Sequence, residues 1–327
     1  VAKMIQMTNK ADNEMSHDRL ADVAELYWIQ GLKIERVARE LGISRSTVSR
    51  LIARARKEHV IEFVVHRTKN SALELENRLI QKYHVRVVVA DTSDNADNTL
   101  KRMAVGKCAA IWLNTLVHSN TTIGVAWGRT IEAMSLQLQQ RHLPGMRILQ
   151  LHGFGNSQTF GENYATQILS RFHKNFDASV RLLPLPAIFD SENTRNLMYQ
   201  ESSIRKILEL RKHMNMMVTS VGTPNGSDPS PLFTPGLLSS KDIKVLHEQK
   251  VIGNLASTFY RADGSTSDID LNSRSTGLNR TELMSVATRL FLVASPSKAQ
   301  ALHVALRSGF VTHLVVDRQT AAALLEL

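Results

Sequence analysis

The chain has 327 residues with 43% hydrophobic content, enough for a small unit and one much larger core. Its formal charge of +10 favours polyanionic partners, and its single cysteine, Cys108, excludes an intrachain disulfide framework or a cysteine-rich zinc site. No apolar run could cross a bilayer and the amino-terminal stretch lacks a signal-peptide core, so a cytoplasmic protein with no membrane partner is expected.

Residues 1–16 are polar and irregular and are expected to be mobile. A helix-turn-helix domain is predicted over 17–66. Leu20, Val23, Ala24 and Tyr27 share one helical face ahead of Gly31. Ile34, Val37, Ala38 and Leu41 then recur at i, i+3, i+4 and i+7, and Val48, Leu51, Ile52 and Ala55 repeat the pattern. Between the two runs, Gly42 can take the positive φ that closes the first helix. Ile43 can plug the gap, and Ser44 can cap the next helix by accepting from the amide of Ser46 or Thr47.

The outward face of that second helix carries Arg45, Ser46, Ser49, Arg50 and Arg54, residue types that meet phosphates and base edges. With Ser44 and Thr47 these are the candidate DNA-binding residues. Eight Lys and Arg stand against two Glu from Lys33 to Lys57, so +6 of the chain's +10 is concentrated here. HVIEFVVH, from His59 to His66, reads as a strand leaving the unit.

Residues 67–84 are predicted as a linker helix, with Leu75, Leu79 and Ile80 on one side and available for dimer contacts. The remainder, 85–327, alternates short apolar strands with helical runs. Strands are expected at Val85–Asp91, Thr122–Trp127, Met146–Gly153, Ser179–Pro186, Met216–Gly222, Val251–Leu255, Arg289–Ser295 and His313–Asp317. Helices are expected at Leu100–Leu116 and Ile131–Gln140. The alternation predicts an α/β fold with a doubly wound sheet.

Ligands of such a sheet gather beyond the carboxyl ends of its strands. Gly128-Arg129-Thr130 follows one strand and opens a helix, so its amides, hydroxyl and guanidinium form a candidate anion site. Three further loops could close on the same ligand: His152–Asn156, Gly253-Asn254 and Ser295–Lys298. Lys298 would add a point charge. His152 and Trp127 are read first as packing residues. The Pro/Gly-rich Thr223–Gly236 segment is long enough for a lid, and the irregular Arg261–Gly277 run should open with a tight turn at Asp263-Gly264.

The residues that follow the second-helix motif and these loops carry a resemblance. LGISRSTVSRLIARARK, TIGVAWGRT, VIGNLASTFYRADG, SPSKAQAL and DRQTAAALL, in this order, resemble the SorC family of bacterial sugar-responsive transcription regulators from about His17 to Leu327. The resemblance implies a large domain like the sugar-phosphate isomerase and coenzyme A transferase fold, adapted to bind an effector sugar that is commonly phosphorylated. It implies phosphate contacts at Gly128, Arg129 and Thr130, an anion contact at Lys298, and pocket-loop positions at His152 and Gly153. Asn254 stands where relatives usually carry an acidic residue that meets sugar hydroxyls, and Ser295 replaces a glycine. An amide both donates and accepts, so a sugar phosphate, an unphosphorylated sugar and a polyol all remain open as effectors.

The expected function is a sequence-specific DNA-binding transcription regulator, a homodimer or homotetramer on a roughly palindromic operator, under allosteric control by a sugar-type effector. The rival is a sugar-phosphate isomerase-like enzyme with an attached DNA-binding domain. It lacks an HExxH, P-loop or dinucleotide fingerprint and any Ser/His/Asp or paired-carboxylate set, so no catalytic residue, metal or cofactor is expected. An architectural DNA binder would have no use for the large pocket domain.

Overall fold

The computed structural model describes residues 18–58, 60–61, 72–154, 164–224, 230–233 and 237–327. The chain divides into two compact units, Val1–Thr68 and Lys69–Leu327. The expected amino-terminal segment 1–16 and nearly all of the expected strand His59–His66 lie outside the described residues.

The small unit is built of three helices: α1, residues 18–24 continuing as a π-helical turn Glu25–Ile29; α2, Ile34–Glu40; and α3, Arg45–Lys57. Their apolar faces close a core around Val23, Val37, Ala38 and Val48, with a second cluster of Leu20, Ala24 and Ala55. Every one of these residues comes from the 3.6-residue periodicity of the sequence.

The large unit opens with α4, Ala72–Tyr83, which packs Leu75 and Leu79 into the core of this unit. Its carboxyl end is tied down where Lys82 Nζ and Tyr83 Oη donate to the Leu324 carbonyl, both at 3.1 Å. Then follow β1 (Arg86–Ala90), α5 (Asn98–Leu116), β2 (Thr122–Val125), α6 (Arg129–Ser135), β3 (Arg147–Gln150), α7 (Tyr164–Phe176) and β4 (Ser179–Arg181). Next come α8 (Glu192–Gln200), α9 (Ser202–Lys212), β5 (Met216–Thr219), β6 (Val221–Gly222), α10 (Ser240–Glu248), β7 (Val251–Leu255) and β8 (Thr258–Arg261). The chain ends with α11 (Asp270–Arg274), α12 (Arg280–Ser285), β9 (Thr288–Val293), α13 (Ala299–Arg307), β10 (His313–Asp317) and α14 (Arg318–Glu326).

Seven parallel strands form the main sheet in the order β1-β10-β9-β5-β2-β3-β4. Alternate residues feed opposite faces. Phe291 and Val293 enter one core, with Leu302, Leu314 and Leu324, while Leu290 and Leu292 enter the other, with Leu113, Ile131 and Phe172. Burial on both faces explains why these strands read as unbroken apolar runs. From β2 the chain proceeds to β3 and β4 on one side, and from β5 it reaches β9 and β10 on the other. The crevice at the carboxyl ends of β2 and β5 is therefore a topological switch point.

Three expectations are modified. Val251–Leu255 is a strand of a separate antiparallel sheet, β6-β7-β8, and its hairpin partner β8 was not anticipated. The turn between them is Ala256-Ser257, both at positive φ (44° and 65°), a conformation the sequence advertises only when Asn or Gly occupies it. The Met216–Gly222 run breaks at Ser220 and serves both sheets, and α6 stops at Ser135 rather than reaching Gln140. The tight turn at Asp263-Gly264 is present, closed by the Gly264 amide donating to the Arg261 carbonyl at 2.9 Å.

Candidate nucleic-acid interface and effector pocket

Gly42 ends α2 with φ +62°. Its amide donates to Arg39 O at 3.3 Å and the Ile43 amide to Ala38 O at 3.0 Å, a paired arrangement that satisfies the last carbonyls of the helix and packs Ile43 on the small-unit core. A side chain at Gly42 would meet open space, so the backbone angle alone selects glycine here. Ser44 Oγ accepts the Thr47 amide at 3.1 Å and lies 2.8 Å from both Ser46 Oγ and Thr47 Oγ1.

With α3 so oriented, Val48 and Ala55 turn inward and Ser44, Arg45, Ser46, Ser49, Arg50 and Arg54 are exposed, with Thr47 half-buried. The predicted residues thus share one solvent-facing surface. They differ in what restrains them. Arg54 Nε is held by Glu58 Oε1 at 2.6 Å, Arg45 approaches Glu35 at 3.8 Å, and Arg50 reaches Thr47 Oγ1 at 3.5 Å. The Glu58 partner directly follows the basic run Arg54–Lys57.

In the large unit, Gly128, Arg129, Thr130, His152, Asn254 and Lys298 line a single cavity at the switch point. Four elements converge there: the β2–α6 turn, the end of β3, the β7–β8 hairpin, and the 3-10 turn Pro296–Lys298 after β9. Lys298 is itself buried. The turn before it is anchored by Asp317, a fully buried carboxylate whose Oδ2 accepts the Ser295 amide at 3.1 Å and whose Oδ1 accepts the amides of Gln319 and Thr320. Gly153 is the one predicted position that is not a wall of the cavity. Its amide donates to Thr276 Oγ1 at 2.9 Å, and a Cβ would sit 2.3 Å from Pro186 O, so glycine is needed for close packing of the wall behind His152.

His152 is 3% exposed and stacks on Trp127 with ring centroids 5.0 Å apart. Its Nδ1 lies 2.8 Å from Ser257 Oγ, and its Nε2 has no hydrogen-bond partner. Burial, with the Arg211 guanidinium nearby, depresses its pKa to about 3, so the imidazole is neutral. Asn254 is 5% exposed, and its Oδ1 is likewise without a partner. Two unmet buried polar atoms on the walls of one cavity fit a site for a polar ligand.

Sequence reasoning missed Arg102 of α5, Ser257 and the Thr219–Gly222 segment, which also line the cavity, as do Ser230–Leu232 of the expected lid. Arg102 could have been found only by knowing which face of α5 meets the β2–α6 turn. Of the expected lid Thr223–Gly236, residues 225–229 and 234–236 lie outside the described residues. Among the described residues, no group of His, Cys, Asp and Glu could hold a metal ion and no helix is long and apolar enough to cross a membrane. Cys108 is half-buried, and burial raises its thiol pKa.

Residues 67–326 match the family described as "Putative sugar-binding domain", and residues 15–59 match a homeodomain-like domain. A domain of a possible sugar-binding transcriptional regulator from Arthrobacter aurescens TC1 is 35% identical and superposes with a TM-score of 0.75, over 80% of this chain and 100% of that one. The full-length sorbitol operon regulator SorC from Klebsiella pneumoniae is 24% identical, with a TM-score of 0.71 over 94% of this chain and 99% of that one. The chain belongs to the SorC family of sugar-responsive transcription regulators. It is also similar to the deoxyribonucleoside regulator of Bacillus subtilis (strain 168), 27% identical over 93% of this chain and 96% of that protein. As a SorC-family protein it is a DNA-binding transcription regulator, and the relatives found are regulators rather than enzymes.

Proposed function

We propose that this regulator senses a phosphorylated sugar and that the phosphate lies against Arg102, Arg129, Thr130 and Lys298. The observation that carries the reading is the charge of the cavity: three cationic side chains and no carboxylate among its described lining residues. Arg and Lys in a partly desolvated cavity favour a dianionic ester over a neutral sugar or polyol. The neutral His152 and Asn254, with their unmet atoms, then serve the sugar hydroxyls.

The DNA contact is proposed at Ser44, Arg45, Ser46, Thr47, Ser49, Arg50 and Arg54, with α3 in the major groove and a homodimer or homotetramer reading a roughly palindromic operator. The effector acts by binding one arrangement of the paired DNA-binding units better than another. A thermal-shift panel of sugars, polyols and their phosphates tests the effector class. Stabilisation confined to phosphorylated members is expected, whereas equal stabilisation by the unphosphorylated forms contradicts the phosphate assignment.

A further inference from the structure

A second polar cavity, of about 200 Å³, is lined by residues of α8, α9, β8 and the segment from Asn272 to Glu282. Arg195, Arg211 and Arg280 line it, and Glu282 is the only acidic residue among its described lining residues. Arg211 is 6% exposed and bonds Thr276 O at 2.9 Å and Glu282 Oε1 at 3.2 Å, leaving its Nε without a partner.

The other two guanidiniums have no carboxylate partner among the described residues. Arg195 bonds the Asn196 side chain and lies over the Tyr199 ring, and Arg280 donates to Gly264 O at 2.9 Å and lies over the Phe310 ring. Three neutral polar side chains around them are engaged elsewhere. Asn272 serves the backbone of Phe259 and Thr266, Ser275 Oγ donates to Ser257 O, and Thr258 Oγ1 donates to Leu278 O. What the cavity offers a ligand is therefore positive charge and N–H donors.

From this excess of two positive charges, with a buried unmet guanidinium N–H, we infer that the cavity is a binding site for a small oxyanion of the phosphate type, separate from the effector pocket. Planar guanidiniums suit such an anion because each can donate two parallel N–H bonds. The site also adjoins the effector pocket structurally. Arg211 bonds Thr276, and Thr276 Oγ1 accepts the amide of Gly153. The inference stands whether or not the effector is phosphorylated.

The test is equilibrium dialysis of the full chain with labelled inorganic phosphate at constant ionic strength. The background is Lys298→Met, in which phosphate affinity of the effector pocket is weakened. Saturable binding of one phosphate per chain is expected there. Adding Arg195→Gln and Arg280→Gln, neither of which is a core residue, should weaken it at least tenfold, and Arg195→Lys with Arg280→Lys should restore most of it. Absence of saturable binding in the Lys298→Met chain, or unchanged affinity in the Arg195→Gln/Arg280→Gln variant, overturns the inference. Should Lys298→Met fail to fold, the same pair of Gln substitutions is made in the unaltered chain, where phosphate stoichiometry must fall by one.

Discussion

Ser257 Oγ lies 2.8 Å from His152 Nδ1, so a hairpin turn at positive φ sets which face of the imidazole the pocket presents. Where the hydroxyl accepts from Nδ1–H, Nε2 is an acceptor; where it donates, Nε2–H is a donor. Ser257→Ala removes this control. The predicted outcome is a several-fold loss of effector affinity, consistent with about 1 kcal/mol for one hydrogen bond, with ligand-free DNA binding unchanged. Calorimetry with the thermal-shift hit measures the first and a gel shift the second; unaltered effector affinity would detach Ser257 from the site.

His152 also makes a pH prediction. Its folded pKa of about 3 lies below the ordinary 6.5, so the unfolded chain binds the proton first as pH falls. Its contribution to stability is complete above about pH 6.5 and declines toward pH 3, by about 1.4 kcal/mol per unit. Between pH 7 and pH 5 the larger unit should lose about 2 kcal/mol that His152→Gln does not lose. Urea unfolding of both proteins at the two pH values reads the difference, and parallel losses would place the imidazole in solvent.

Ser295 adopts φ 141° at the turn that delivers Lys298, a region in which a non-glycine residue is strained by about 1–3 kcal/mol. Ser295→Gly should raise the melting temperature of the larger unit while the Asp317 carboxylate still accepts the amide. A lower melting temperature would mean that the 2.8 Å contact between Ser295 Oγ and Ser297 Oγ outweighs the strain.

On the DNA side, Arg50 and Arg54 are predicted to differ. Arg54 is already paired with Glu58 at 2.6 Å, whereas Arg50 reaches a hydroxyl at 3.5 Å. Arg50→Ala should reduce the slope of log affinity against log salt by about one, with Arg54→Ala changing it less. Fluorescence anisotropy on a duplex selected from a random pool provides the slopes. An unchanged slope for Arg50→Ala removes that residue from the phosphate contacts.

The small unit was legible because a three-helix core is local: Gly42, Ser44 and three apolar stripes specify it without distant partners. The parallel strands were legible for a related reason, since residues such as Leu290–Val293 are buried on both faces. The pocket was only partly so. Gly128–Thr130, His152 and Lys298 follow from the rule that ligands gather beyond strand ends, whereas Asn254, inside β7 of the antiparallel sheet, and Arg102 and Ser257 arrive by long-range packing. No periodicity reports that α5 turns Arg102 toward the β2–α6 turn. Nor does Ala256-Ser257 carry the residues that normally mark a two-residue hairpin.

The central claim is that a phosphorylated sugar held at Lys298 alters DNA binding by the small unit. It is tested by measuring affinity for the selected duplex, with and without the sugar phosphate that stabilises the protein, in the unaltered chain and in Lys298→Met. The account predicts at least a tenfold ligand-dependent change in the unaltered chain, and in Lys298→Met the same ligand-free affinity with less than a twofold response. An undiminished response in Lys298→Met, or a ligand that stabilises the protein without altering DNA affinity, would contradict it.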